Sequence, residues 1–131
     1  MLRIPSLWVL PIALMFPAIV AGQAPTELGD AMRARDRAVA LADAATWDRL
    51  TADDFTVVQE NGILMTKSER LAELKTQKPT TDTPAQREQI KRYGDVYVRR
   101  FLSGDVWVLE VWAKDARRWR NVAVQVTTAK K

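Results

Sequence analysis

The stretch from Tyr93 to Thr128, YGDVYVRRFLSGDVWVLEVWAKDARRWRNVAVQVTT, decides the fold. Two apolar runs, Val96–Leu102 and Val106–Ala113, are separated by Ser103-Gly104-Asp105. A third, Trp119–Thr127, follows Lys114-Asp115-Ala116-Arg117-Arg118. Valine and aromatic side chains fit a pleated, half-buried surface, and Gly and Asp punctuate short runs of this kind. The stretch therefore reads as an antiparallel meander. Everything before it reads as helices, with one short hairpin, built to cover that sheet.

Working back from the meander, Gln23–Pro25 is a linker and Thr26 to about Ala45 has a helical pattern. Leu28, Ala31, Met32, Ala38, Val39 and Ala42 recur at three- and four-residue steps, with Arg33, Asp36 and Arg37 opposite. Thr46 is placed to cap a second, short helix through Trp47 and Leu50. Phe55–Glu60 and Ile63–Met65 read as strands joined by Asn61-Gly62, a turn expected to need positive φ at both central positions. Thr66-Lys67-Ser68-Glu69 is a capping box opening a helix with Leu71, Ala72 and Leu74 that ends before Pro79. Lys78–Pro84 is a polar loop. Thr83-Pro84-Ala85-Gln86 resembles a helix start, with Gly94 as a stop, yet Gln89–Arg92 leads straight into the Tyr93-Gly94-Asp95 turn. On local pattern alone the helix is slightly ahead of the strand.

The 131 residues suit a single domain. Met1-Leu2-Arg3, the uncharged, largely apolar Ile4–Ala21 and the small residues Val20-Ala21-Gly22 have the layout of a secretory signal peptide. Pro5, Pro11 and Pro17 weigh against the rival reading, an uncleaved membrane anchor. The expectation is a signal over residues 1–22, an exported domain over 23–131 in the periplasm or outside the cell, and no membrane span after cleavage. With no cysteine, that domain relies on packing alone.

Its charge is uneven: residues 23–78 hold 8 Lys/Arg and 10 Asp/Glu, and residues 79–131 hold 11 and 6. Arg99-Arg100, Arg117-Arg118 and Lys130-Lys131 are expected at strand ends, turns and a tail, as a solvated rim. No aromatic-interleaved stripe accompanies them, so nucleic acid is not an expected partner.

The sequence has neither histidine nor cysteine, which rules out Ser-His-Asp and Cys-His chemistry and His/Cys zinc sites. No phosphate-cradling or dinucleotide motif occurs, and no calcium-loop motif, so neither a cofactor nor a metal is expected. Acid–base work would fall to Asp, Glu, Lys or Tyr. Asp53-Asp54 sits where a helix gives way to a strand, a place for capping, and Glu60 precedes a turn. Glu110 lies within the Val106–Ala113 run and shares a face with Val108 and Trp112. If that face is covered, Glu110 is a buried carboxylate of raised pKa and a possible general base; if open, it is ordinary surface.

Helix, short helix, Leu50-Thr51-Ala52-Asp53-Asp54-Phe55 strand, Asn-Gly hairpin, Thr-Lys-x-x-Arg-Leu helix and meander resemble the nuclear transport factor 2-like cone. Gly62 with Thr66-Lys67, Tyr93-Gly94-Asp95, Val111-Trp112 and Arg118-Trp119-Arg120 followed by Ala123 and Gln125 narrow the resemblance to domain-of-unknown-function family 4440, over nearly all of residues 28–128. The resemblance implies an α+β fold in which N-terminal helices pack on a curved antiparallel sheet around a conical pocket. It also implies a strand before Gly94. Relatives include ketosteroid isomerases, polyketide cyclases, dehydratases, ligand-binding modules and oligomerisation domains, so the fold leaves function open.

Three readings follow. The first is a binder of a small, largely apolar molecule, with Trp47, Phe55, Tyr97, Trp112 and Trp119 as pocket wall and Asn121, Gln125 and Glu110 as orienting polar groups. The second is an isomerase- or cyclase-like enzyme with Asp54 or Glu110 as base. The third is a non-catalytic assembly module. On the last strand Trp119, Asn121, Ala123 and Gln125 share one face, and Val122, Val124 and Val126 the other. With Asn121 and Gln125 in the cone, the valines face outward and form a homodimer interface. The reverse parity puts the valines in the core.

Overall fold

The computed structural model describes residues 24–131, so the expected signal over residues 1–22 lies outside the described residues. Two helices, α1 (Thr26–Ala40) and α2 (Ala44–Arg49), precede β1 (Thr51–Val58) and β2 (Leu64–Thr66), and a third, α3 (Lys67–Thr76), follows them. The strands β3 (Gln86–Tyr93), β4 (Val96–Ser103), β5 (Val106–Asp115) and β6 (Arg118–Thr128) then follow as the meander. All six strands form one sheet in the order β2-β1-β6-β5-β4-β3. The α+β arrangement is as expected. The sheet is mixed rather than wholly antiparallel, because β1 lies parallel to β6.

Local chemistry sets the boundaries. The first helix stops at Ala40, short of the expected Ala45, and the chain turns through Ala42 at φ 54°. The cap of α2 is Asp43, not Thr46: the Asp43 carboxylate accepts from the Thr46 amide, placing Thr46 inside the first turn. Thr66 and Glu69 form the expected capping box at α3. In the first hairpin only Gly62 takes a positive φ, 82°. Asn61 contributes its side chain instead, its Oδ1 accepting from the Ile63 amide at 3.0 Å. The Gly62 amide donates to the Gln59 carbonyl at 2.8 Å, so the connection is a three-residue loop closed by one left-handed glycine.

Residues 86–93 are the strand that the resemblance implies, not the helix that local pattern favours. It is an edge strand whose one half-buried residue is Ile90. Between β5 and β6 the turn is only Ala116-Arg117, with both residues at positive φ (44° and 74°).

The helices cover one face of the sheet in two apolar clusters. Ala38, Trp47, Phe55, Val57 and Leu74 form one, with Trp47 and Phe55 edge to face at 5.4 Å. Leu28, Met32, Tyr97 and Trp112 form the other. Between them the concave face is charged.

Candidate functional site

Alternation along β4 and β5 delivers Arg99 and Glu110 to the concave face as cross-strand partners, with Tyr97 and Phe101 flanking Arg99 and Trp112 following Glu110. The first helix adds Arg35 and Asp36, and β3 adds Glu88. Arg99 is the hub. Its Nη1 and Nη2 donate to the two Asp36 oxygens at 2.9 and 2.8 Å, its Nε to Glu88 Oε2 at 2.7 Å, and its Nη1 to Glu110 Oε2 at 3.3 Å. The guanidinium also lies 4.0 Å from the centre of the Phe101 ring. Burial alone would pull its pKa down, but the Asp36 hydrogen bonds and the charges of Glu110, Asp36 and Glu88 hold it above the ordinary arginine value. The bidentate fork to Asp36 fixes α1 against the sheet.

Glu110 is 2 % exposed, so the covered reading of its face holds. Its Oε2 also accepts from Trp112 Nε1 at 2.8 Å, and its Oε1 lies 3.6 Å from Arg35 Nη1. Both oxygens face cations. A carboxylate held in this way stabilises buried arginines and is poorly placed to take a proton from a substrate. Asp54, the other candidate base, is exposed on β1 and does not line the cavity.

Arg35 is 5 % exposed, with its guanidinium 5.3 and 5.4 Å from the Trp47 and Phe55 rings. Desolvation lowers its pKa to about 10, against the opposing pull of Glu110 and Asp36; it stays charged at neutral pH. Arg35 and Glu110 together form the floor of a cavity of about 530 Å³. Phe55 and Val57 from β1, Phe101 from β4, Val108 from β5, and Val124 and Val126 from β6 give it an apolar wall, with Gln59 and Gln77 as further polar lining. Arg70 of α3 reaches in from one side. A strap over residues 80–83 rims the opening, tied down by the Thr80 amide on the Ala40 carbonyl at 2.6 Å and by an Arg37–Asp82 ion pair at 3.6 Å. Among the described residues no group of three metal-ligating side chains converges in a metal-binding arrangement. The carboxylates of Asp36, Glu88 and Glu110 converge on the Arg99 guanidinium.

Of the eight expected ligand contacts, Trp47, Phe55 and Glu110 line this cavity. Tyr97, Trp112, Trp119 and Asn121 are on the concave face but outside it: Tyr97 and Trp112 are sealed against Leu28 and Met32, and Trp119 packs edge to face on Tyr97 at 5.4 Å. Gln125 is on the other face, opposite the exposed Leu109. The valine stripe is divided, because Val124 and Val126 face the cavity. One residue causes both departures. Val111 opposes Ala123 while Trp112 opposes Asn121, so Val122 is an extra, bulged residue that inverts the parity of everything after it.

The sequence reading also missed Arg35 and Arg99. Arg35 lies three residues beyond Met32 on the apolar stripe of α1, and Arg99 lies mid-strand between Tyr97 and Phe101, not in a solvated rim. Those spacings were the available signals.

No protein-family model matches the sequence, and no curated protein matches it. Solved structures do. A nuclear transport factor 2-like protein from Cytophaga hutchinsonii superposes with a TM-score of 0.71 at 18 % identity, over 77 % of this chain and 94 % of that one. The fold is the nuclear transport factor 2-like cone. A second such protein, from Shewanella baltica, gives a TM-score of 0.67 at 12 % identity, over 80 % and 93 % of the two chains. A Pectobacterium atrosepticum protein of unknown function from domain-of-unknown-function family 3225 gives 0.66 at 20 % identity, over 79 % and 89 %. At these identities the nuclear transport factor 2-like likeness is one of fold, and function rests on the residues of the cone.

Proposed function

We propose that this chain is an exported, non-catalytic binder of a small, largely apolar molecule held in the cone. The observation that carries the reading is the cavity of about 530 Å³, walled by valine and phenylalanine over a charged floor. That size and balance of surface suit a small organic ligand. Every carboxylate lining it already has a cation: Asp36 on Arg99, Glu110 between Arg35 and Arg99, and Asp82 on Arg37. This favours binding over the isomerase- or cyclase-like alternative, which needs an unengaged base. The motif resemblance to family 4440 and the signal-like first 22 residues belong to the same reading.

Native mass spectrometry of the protein from its own host tests it. The expected result is a subunit lacking residues 1–22 and carrying a small organic adduct that dissociates on collisional activation. An uncleaved subunit refutes removal of the signal; a subunit that stays empty before and after incubation with apolar small molecules refutes the binder.

A second reading, an assembly module, is favoured by the convex sheet face. Alternation opposite Arg99, Glu110 and Trp112 puts Val98, Leu102, Leu109, Val111 and Ala123 there, with Leu109 38 % exposed. A homodimer through this face replaces the interface expected at Val122, Val124 and Val126. Dimeric sedimentation at micromolar concentration, reduced to monomer by Leu109→Arg, is the expected result; a monomeric parent chain refutes it.

A further inference from the structure

The charged floor of the cone is unevenly satisfied. Arg99 spends its donors on three carboxylates. Arg35, equally buried, does not. A guanidinium carries five N–H donors, yet the one hydrogen bond of Arg35 among the described residues runs from Nε to Thr51 Oγ1 at 3.5 Å. Its contact with Glu110 Oε1, at 3.6 Å, is longer than a hydrogen bond. Arg35 lines the cavity, so its remaining donors are open to a partner held there.

The charge count points the same way. Arg35, Arg70 and Arg99 bring three positive side chains into the cone, 6 %, 14 % and 1 % exposed. Glu110 and Asp36, 2 % and 22 % exposed, bring two negative ones. The remaining partners, Glu88 of Arg99 and Glu73 of Arg70, are 40 % and 51 % exposed, so water screens much of their charge. Of the three arginines, Arg70 and Arg99 each have a carboxylate within 2.8 Å, whereas Arg35, beside an apolar wall, has none closer than 3.6 Å.

We propose that the occupant of the cone is an amphiphilic monocarboxylate, its carboxylate accepting hydrogen bonds from Arg35 beside Arg70 and its hydrocarbon body lying along Val57, Val124 and Val126. The inference rests on the small-molecule reading of the same cavity and adds the ligand's charge and polarity. The planar fork of a guanidinium matches a carboxylate, and the Trp47 and Phe55 rings beside it exclude water, which strengthens a charge-assisted bond. A cationic ligand would meet Arg35 and Arg70 directly. A neutral one offers Arg35 at most an uncharged oxygen, a weaker acceptor than a carboxylate.

Calorimetric titration of the purified chain with two acid–alcohol pairs near neutral pH is the test: octanoate against octanol, and cinnamate against cinnamyl alcohol. The acid of at least one pair should bind about ten- to a hundredfold tighter than its alcohol, the gain of a hydrogen bond to a charged group. The pair that binds better separates an aliphatic from an aryl body. Arg35→Met should bring that acid down to the alcohol's level. Should that variant fail to fold, the comparison on the parent chain decides alone, and Arg70→Met, altering a more exposed side chain, should weaken the acid several-fold. Equal affinity for acid and alcohol overturns the carboxylate inference and leaves small-molecule binding standing. No binding by either pair overturns both.

Discussion

Replacing Glu110 with glutamine tests the electrostatic account of the cone directly. The two side chains have nearly the same shape, so the perturbation is one charge. In the folded chain that charge sits 3.6 Å from Arg35 and 3.3 Å from Arg99. At the effective dielectric of about 20 that suits protein sites, each separation corresponds to roughly 5 kcal/mol of attraction. Several kcal/mol come back, because a neutral amide avoids the desolvation of a buried carboxylate. The glutamine oxygen can still accept from Trp112 Nε1, and Arg99 keeps Asp36 and Glu88. The loss therefore falls chiefly on Arg35. Glu110→Gln should cost about 3 kcal/mol, at the low end of the cost of removing one partner from a buried ion pair. Urea denaturation reads this as a midpoint lowered by 1 M or more, on the order expected for m near 2 kcal/mol/M. Adding Arg35→Met should recover part of the loss, since it removes the stranded cation, and the cycle gives a coupling of about 1–3 kcal/mol. A Glu110→Gln chain within about 0.5 kcal/mol of the parent would refute the idea that Glu110 balances the buried arginines.

Three further expectations concern separate parts of the chain. The Asp43 carboxylate has its pKa lowered by hydrogen bonding to Thr46, so its contribution is present above the unfolded value near 3.8 and lost as pH falls through the folded one; pH-dependent thermal melts should show Asp43→Ala less stable at neutral pH and Asp43→Asn retaining the cap without that acid sensitivity. Arg117 sits at φ 74° in the β5–β6 turn, and Arg117→Gly should stabilise by about 1 kcal/mol in chemical denaturation, with no gain if the turn is unstrained. Val126→Trp projects an indole into the cavity and should weaken titrated octanoate more than tenfold while leaving the melting temperature nearly unchanged; retained affinity would place the ligand elsewhere.

How far the sequence was legible depends on the range of the forces that shape each part. The meander was legible because its runs are apolar, β-branched and punctuated by Gly94 and Gly104, both at positive φ. The Thr66–Glu69 cap was legible because its partners are three residues apart. Residues 86–93 were legible only through the family resemblance and not from local pattern, for a physical reason: on an edge strand with a single half-buried residue there is no period for burial to impose. The charged floor joins residues distant in the chain. Asp36 and Arg99 are 63 positions apart, and nothing in either neighbourhood names the other. What could be read was the anomaly on each side: an arginine on the apolar stripe of α1, and another alternating with Tyr97 and Phe101 on β4.

The error in parity shows how much of the site hangs on a single inserted residue. Without the bulge at Val122, strict alternation from Asn121 would turn Gln125 into the cone and Val124 and Val126 out of it. The cavity would then have a polar wall and the convex face a deeper apolar stripe. Asn121 holds the bulge in place, its Nδ2 donating to the carbonyls of Val111 at 3.2 Å and Ala123 at 3.4 Å, while its amide donates to the Leu50 carbonyl at 2.8 Å. Asn121 therefore shapes the site without lining it. It lets one strand pack Trp119 on Tyr97 and, further along, wall the cavity with Val124 and Val126. A sheet of uniform parity could not do both with this sequence, so an apolar chamber over a charged floor depends on the irregularity in β6 as much as on the residues that face the ligand.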